Sequence, residues 1–172
     1  MRPVRLPKLL QRHLDAAAAS YLGSTDTTVD FTAPAGEPGL AGPDSVSWRI
    51  FKNPVALFVG RVAAVILELA EPRVRTGVWK HSTFATRPLD RFRRTAFAAT
   101  VTVYGAASTA QEMIAGIRRR HAAVKGETPD GVPYRALDPE LLRWVQVTAS
   151  YGFVESYHRF VHPPRPFERD SA

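Results

Sequence analysis

Residues 91–121 read RFRRTAFAATVTVYGAASTAQEMIAGIRRRH, and this stretch decides the fold. Arg91 to Tyr104 has the composition of a helix, and Gly105 is a suitable stop one residue past its end. Ala96, Ala98, Ala99 and Thr100 make its faces small, so a neighbour or a flat ligand can come close. Gly105-Ala-Ala-Ser108 is a short connection, and Ser108 or Thr109 is expected to cap a second helix from Ala110 to His121. In that helix Ile114, Ile117 and His121 recur on one face. Two helices joined by so short a connection make a hairpin, and the rest of the chain reads as its packing or its walls.

Working outward, the same periodicity recurs. Upstream, Val55 to Ala70 is a 16-residue apolar run interrupted by Arg61 and Glu68. That is short for a bilayer and doubly charged. Arg61 and Glu68 are seven apart and share one stripe, which predicts a mostly buried helix with a polar edge. Asn53-Pro54 starts it, and Ser45 caps a short helix holding Trp48, Ile50 and Phe51. Pro72 breaks the run, and Val74 to His81 is expected to form a further short helix. Asp90 or a neighbour is expected to cap the helix that follows. Downstream, residues 122–134 read as loop, with Gly126, Pro129-Asp130-Gly131 and Pro133. Asp138-Pro139-Glu140 is a strong helix start, and that helix runs to about Val161. Leu6 to Leu22 has helical spacing, and residues 24–44 form a loop or an arm across the body. No strand ladder is expected. The class is all-α, a helical bundle, with an N-terminal helix and arm over residues 1–45, a helical domain over 46–161 and a Pro-rich disordered tail over 162–172.

Composition narrows the chemistry. With 172 residues and 45% apolar content the chain can bury a core. It has no cysteine, so disulfides, thiolate metal sites and a Cys nucleophile are excluded. No secretory signal follows Met1-Arg-Pro-Val-Arg5 and no segment reads as a membrane span, so a soluble cytoplasmic protein is expected. The five histidines (His13, His81, His121, His158 and His162) form no pair with zinc-helix spacing. Glu155-Ser-Tyr-His158 occurs once, where a dinuclear carboxylate bundle needs two such pairs. No Gly-rich phosphate loop and no Gly-x-Ser-x-Gly is present. The net charge of +7 is concentrated. Arg73, Arg75, Lys80, Arg87, Arg91, Arg93 and Arg94 face only Asp90 over the span 73–94. Such a patch suits an anionic partner, or is a solvated face.

His121 stands out, because a neutral imidazole on an apolar helix face suits the axial position of a haem. It equally suits a buried histidine bonded to a carbonyl, the commoner case. Arg91 and Thr95 lie one turn apart and project together. An Arg there could neutralise a propionate or polarise bound dioxygen, and a Thr hydroxyl could donate to a ligand. The plainer reading is an exposed Arg and a packing Thr. Arg94, Lys80 and His81 could line the same region. Tyr134 and Asp138 flank the last helix, and Asp138 is most simply its N-cap. Trp48 and Trp144 read as core, and Tyr104 as either core or site.

The order of several pieces is more specific than any one of them. Glu68-Leu-Ala-Glu-Pro-Arg-Val-Arg-Thr-Gly-Val-Trp-Lys-His-Ser82 is followed by Arg91-x-x-Arg-Thr95 and Tyr104-Gly105. Arg120-His121-x-x-Val124-x-Gly126 comes next, then Gly131-x-x-Tyr134-x-Ala136-x-Asp138-Pro139 and Leu142-x-Trp144-Val145. The series, from about Trp48 to Phe160, resembles the MpaB and latex-clearing-protein (rubber oxygenase) family. The resemblance implies an all-α fold with a globin-related core and a b-type haem. It implies an oxidoreductase of the oxygenase type, using dioxygen on a small hydrophobic, isoprenoid-like substrate. It places the iron ligand at His121 and the distal pair at Arg91 and Thr95, which serve both cofactor binding and catalysis, with Arg94 as a third catalytic residue. A distal lysine of the latex-clearing branch falls at Arg94, where this chain departs from that branch. Family domains continue for several helices beyond the Asp138-Pro139 helix, so the chain reads as short or truncated. No nucleic-acid partner is expected from this reading. The alternative is a non-catalytic basic helical module, a haem carrier or decayed member, binding an anionic partner.

Overall fold

Among the described residues, four of the six helices begin with proline, and three of those carry a side-chain cap immediately before it. A computed structural model of the chain describes residues 29–162. The N-terminal helix expected over residues 6–22, and the tail beyond His162, lie outside the described residues. The helices are α1 (Val46–Phe51), α2 (Pro54–Glu68), α3 (Pro72–His81), α4 (Pro88–Tyr104), α5 (Ala107–Ala122) and α6 (Pro139–Phe160). Ser45, Asn53, Glu71 and Asp138 accept from backbone N–H groups of α1, α2, α3 and α6. Such caps satisfy donors that the helix itself leaves free. The all-α expectation therefore holds.

The exception to local capping is informative. The α5 N-cap is Ala106, which has no capping side chain. Glu37, in the extended arm, supplies the acceptor instead. Its carboxylate takes bonds from Ser108 N (2.6 Å) and Ser108 Oγ (2.9 Å). A carboxylate at a helix N-terminus is favoured by the peptide dipoles. The expected cap by Ser108 or Thr109 is thus replaced by one from seventy-one residues upstream. The arm is pinned further by Ala107 N to Pro38 O and by Trp48 Nε1 to Ala41 O. Similarly, α4 starts at Pro88 and its N-cap is Arg87, while Asp90 sits in the first turn and pairs with Arg87 at 3.5 Å.

The central contact is the antiparallel pair α2–α6. Ser156 Oγ donates to Ala56 O (2.8 Å), Gly152 packs on Gly60 and Ala64, and Trp144 Nε1 donates to Glu68 O (3.2 Å). Small residues at four-residue spacing let the two backbones touch. This reverses the expected polarity of α2. The charged Arg61 is buried, with its guanidinium 5.2 Å from the Phe92 ring, while Val55, Phe58, Val62 and Ile66 are exposed. The physical reason is that Ala56, Gly60 and Ala64 take the interface, and the larger apolar residues are left around it.

The loop expected over residues 122–134 contains a small antiparallel hairpin, β1 (Lys125–Glu127) and β2 (Pro133–Arg135). Its turn is Thr128-Pro-Asp-Gly131, with Gly131 at φ 78°. Thr128 N bonds Val132 O (2.9 Å) and Thr128 Oγ1 accepts from Val132 N (3.0 Å). Strands of three residues without a hydrophobic alternation carry almost no periodic signal. The hairpin seats Tyr134 between Gly77 of α3 and Gly126 of β1.

Candidate functional site: the Glu68–Arg91–His121 cluster

Arg91 is the hub of the site. It sits in the first turns of α4 with its guanidinium 5.5 Å from the Phe84 ring. Burial pushes its pKa down, the Glu68 carboxylate pushes it up, and Arg94 opposes that. Glu68 ends α2, where that helix reaches toward α4. Burial raises its carboxyl to about 7, against the pull of Arg91. His121, on the last turn of α5, has its pKa lowered by burial first, then by Arg120 and Arg91. Desolvation and nearby cations both disfavour imidazolium, so His121 is neutral at neutral pH. Three helices therefore deliver a carboxyl, a guanidinium and a neutral imidazole into electrostatic reach of one another through Arg91.

The other residues singled out in the sequence fall differently. Thr95 is exposed, and its hydroxyl donates to Arg91 O at 3.0 Å, the usual intrahelical habit of threonine. Its lone pairs stay open, but donation to a ligand requires that bond to break. Arg94 is exposed and its Nη2 donates to Thr83 Oγ1 at 2.7 Å, fastening α4 to the α3–α4 turn. Lys80 Nζ donates to Glu127 O (3.1 Å), and His81 Nε2 meets Tyr134 OH (3.1 Å). Both thus hold the hairpin. Tyr104 OH donates to Trp48 O (2.9 Å), and burial raises its pKa to about 12. Trp144 caps the α2 end through Glu68 O while remaining exposed. On α5, Ile114 is exposed and Ala110 is the buried residue, so the face beside His121 is more open than its apolar spacing suggests.

Glu68 joins the cluster although the sequence placed it only on the polar edge of its helix. Its stripe-mate Arg61 is buried, so the packing of α2, which the sequence did not reveal, is what desolvates this edge. Among the described residues, no group of three or more His, Asp or Glu side chains could hold a metal ion. No helix of these residues is long and apolar enough to cross a membrane.

Comparison with curated proteins and with solved structures returned no match to the chain. A family model does match, over residues 48–172, and its description is ER-bound oxygenase mpaB/B'/Rubber oxygenase, catalytic domain. The match spans more than half of the 172 residues and includes Glu68, Arg91 and His121. The chain therefore belongs to the MpaB/rubber-oxygenase catalytic-domain family.

Proposed function

We propose that the protein is a haem b-dependent oxygenase acting on a small hydrophobic, isoprenoid-like substrate, with His121 as the iron ligand and Arg91 beside it. The observation that carries this reading is the neutral, half-buried His121 within electrostatic reach of the partly buried Arg91. The donor set suits such a cofactor: a porphyrin brings four nitrogens of its own and asks the protein for one axial donor. A bare ion would need a cluster of protein ligands. When bound, the haem would supply the dioxygen chemistry that no side chain here can perform.

The protein's own groups have separate tasks in this reading. His121 offers an unprotonated ring nitrogen without first having to lose a proton. Arg91 keeps a cation in a partly desolvated place, where it attracts a carboxylate more strongly than in water. Glu68, with a carboxyl titrating at about 7, can take up or release a proton at its Oε atoms near neutral pH. Thr95 lies one turn along from Arg91 and can accept a hydrogen bond while donating to its own helix. Arg94 adds positive charge at the rim. The Phe84 ring lies 5.5 Å from the Arg91 guanidinium, and Phe92, next in sequence to Arg91, packs on Phe58 of α2. Aromatic rings of this kind suit a hydrocarbon substrate.

Purified protein reconstituted with hemin should show a Soret band shifted from that of free hemin, and His121→Ala should lose the shift. Wild type without a shift would overturn the reading. The second reading, a basic non-catalytic module, draws on the exposed run Arg118-Arg119-Arg120 at the end of α5. Oxygen consumption with an isoprenoid substrate favours the enzyme. Steeply salt-dependent binding to a polyanion without haem favours the module.

A further inference from the structure

We infer that the outer face of the α2–α6 pair is the contact surface of a homodimer. The pair has two flanks. On one, α1 and α4 pack against it, through Phe51 on Phe153 (5.2 Å) and Phe92 against Phe58 (6.2 Å) and Arg61. The opposite flank has no described element over it. Helix geometry assigns its residues. With Ala56, Gly60 and Ala64 facing α6, positions 55, 62 and 66 turn to the far side of α2 from Leu57 and Arg61. With Thr148, Gly152 and Ser156 facing α2, positions 144, 147 and 151 turn away from Phe153. In an antiparallel pair these two sets share one side. Exposure agrees: Ile66 is 67% exposed, Val55 and Tyr151 59% and Val147 58%, with Val62 and Trp144 also open to water. The register puts Ile66 beside Val147 and Val62 beside Tyr151, with Trp144 at one end of this strip and Val55 about two turns beyond Val62 at the other.

The size of the strip fits a second copy. At these exposures the two aromatic side chains, at roughly 150–250 Å² each when bare, and the four smaller aliphatic ones leave on the order of 500 Å² of mostly apolar surface open. A standard interface covers about 800 Å² per partner, of which about 65% is apolar in homodimers, or roughly 520 Å². The largest apolar patch on a monomer is itself about 300–600 Å² and is often functional, so a strip of this size is a candidate contact surface. The shape fits as well, because two antiparallel helices laid on a two-fold copy form a closed four-helix layer. Two ion pairs lie at its ends: Arg73 meets Glu140 at 3.0 Å, and Arg159 meets Glu155 at 3.7 Å. The exposed Arg143 borders it beside Trp144 and Val147.

The test is sedimentation of the full-length protein over micromolar to submillimolar concentrations. The expected species has twice the 19.0 kDa chain mass. Val62→Glu and Val62→Lys, at the centre of the strip, are each expected to sediment as monomers with unchanged far-UV circular dichroism. Mixed in equal amounts they should recover the dimer, since a two-fold axis brings position 62 near its own copy. If either variant misfolds, Ile66→Lys with Tyr151→Asp provides an independent disruption. Three outcomes overturn the inference. One is a wild type monomeric throughout the range. Another is a dimer insensitive to every one of these folded variants. The third is a monomer whose strip is shielded from carbene labelling, which would mean that the chain's own residues 1–28 or 163–172 cover it.

Discussion

Gly152→Ala should unfold the protein more easily than Gly116→Ala, although both replace a helical glycine and both raise helix propensity. At Gly152 a Cβ would stand 2.6 Å from Gly60 O, 2.9 Å from Ala64 N and 3.2 Å from Ala64 Cα. All three are backbone atoms of α2, and none can swing aside as a side chain does. Ordinary contact needs about 3.5–4.0 Å, so α2 and α6 must separate locally by about 1 Å. Overpacking of this kind costs about 1–3 kcal/mol, and backbone opposition puts it at the upper end. The propensity gain of roughly 1 kcal/mol offsets part, leaving about 2 kcal/mol lost. For a chain of this size that lowers Tm by about 4–8 °C. At Gly116 the nearest atoms are the flexible ends of Arg119 (3.7 Å) and Arg120 (4.0 Å), so only the propensity gain remains. That variant should be about 0.5–1 kcal/mol more stable than wild type. Urea unfolding followed by far-UV circular dichroism measures both. A Gly152→Ala protein as stable as wild type would refute the close α2–α6 crossing on which the register, and the placement of Glu68, depend.

Two further outcomes follow from single groups. Burial holds the Glu68 carboxyl at about 7 when folded, above its ordinary 4.5 in the unfolded chain, so the folded state binds the extra proton between these values. Stability should therefore fall as pH rises through that window, by about 1–3 kcal/mol in all. Glu68→Gln should remove this fall and be the more stable protein above the window. His121 works in the opposite sense below its ordinary 6.5, so the difference between variant and wild type is the quantity to measure. Identical pH slopes would dismiss a desolvated Glu68. Asp138 Oδ1 accepts from Glu140 N at 2.9 Å to start α6. Asp138→Ala should cost about 1 kcal/mol in urea unfolding and Asp138→Asn much less. Equal losses would show that the capping bond contributes nothing.

Local chemistry was legible residue by residue. Asn53-Pro54 and Asp138-Pro139 announce helix starts because cap and fixed φ act within one turn, and both start helices. Ser45 does the same for α1. The hairpin at residues 125–135 was not legible, because three-residue strands have no period and their pairing is a contact between segments. The α5 cap was not legible either. Glu37 is far away in sequence, and nothing near Ser108 points to it. In the site, Arg91 and His121 were both visible as unusual residues on helix faces. That Thr95 bonds its own helix and Arg94 reaches Thr83 depends on side-chain positions that no spacing rule fixes.

By itself the sequence determined that these segments are helices, where those capped by Ser45, Asn53 and Asp138 begin, and which ordered set of residues places the chain in its family. These are short-range properties of capping, proline geometry and residue order. Only the tertiary structure decided which face of each helix is inside. On α2 the apolar run predicted a mostly buried helix with Arg61 at its polar edge, yet the small residues Ala56, Gly60 and Ala64 took the interface, Arg61 went inside and Val55, Val62 and Ile66 stayed exposed. Close backbone approach between two helices is a property of both surfaces together, and periodicity along one of them cannot contain it. The same holds for the cluster: Glu68, Arg91 and His121 come from three helices, and desolvation changes their proton affinities only once those helices have met.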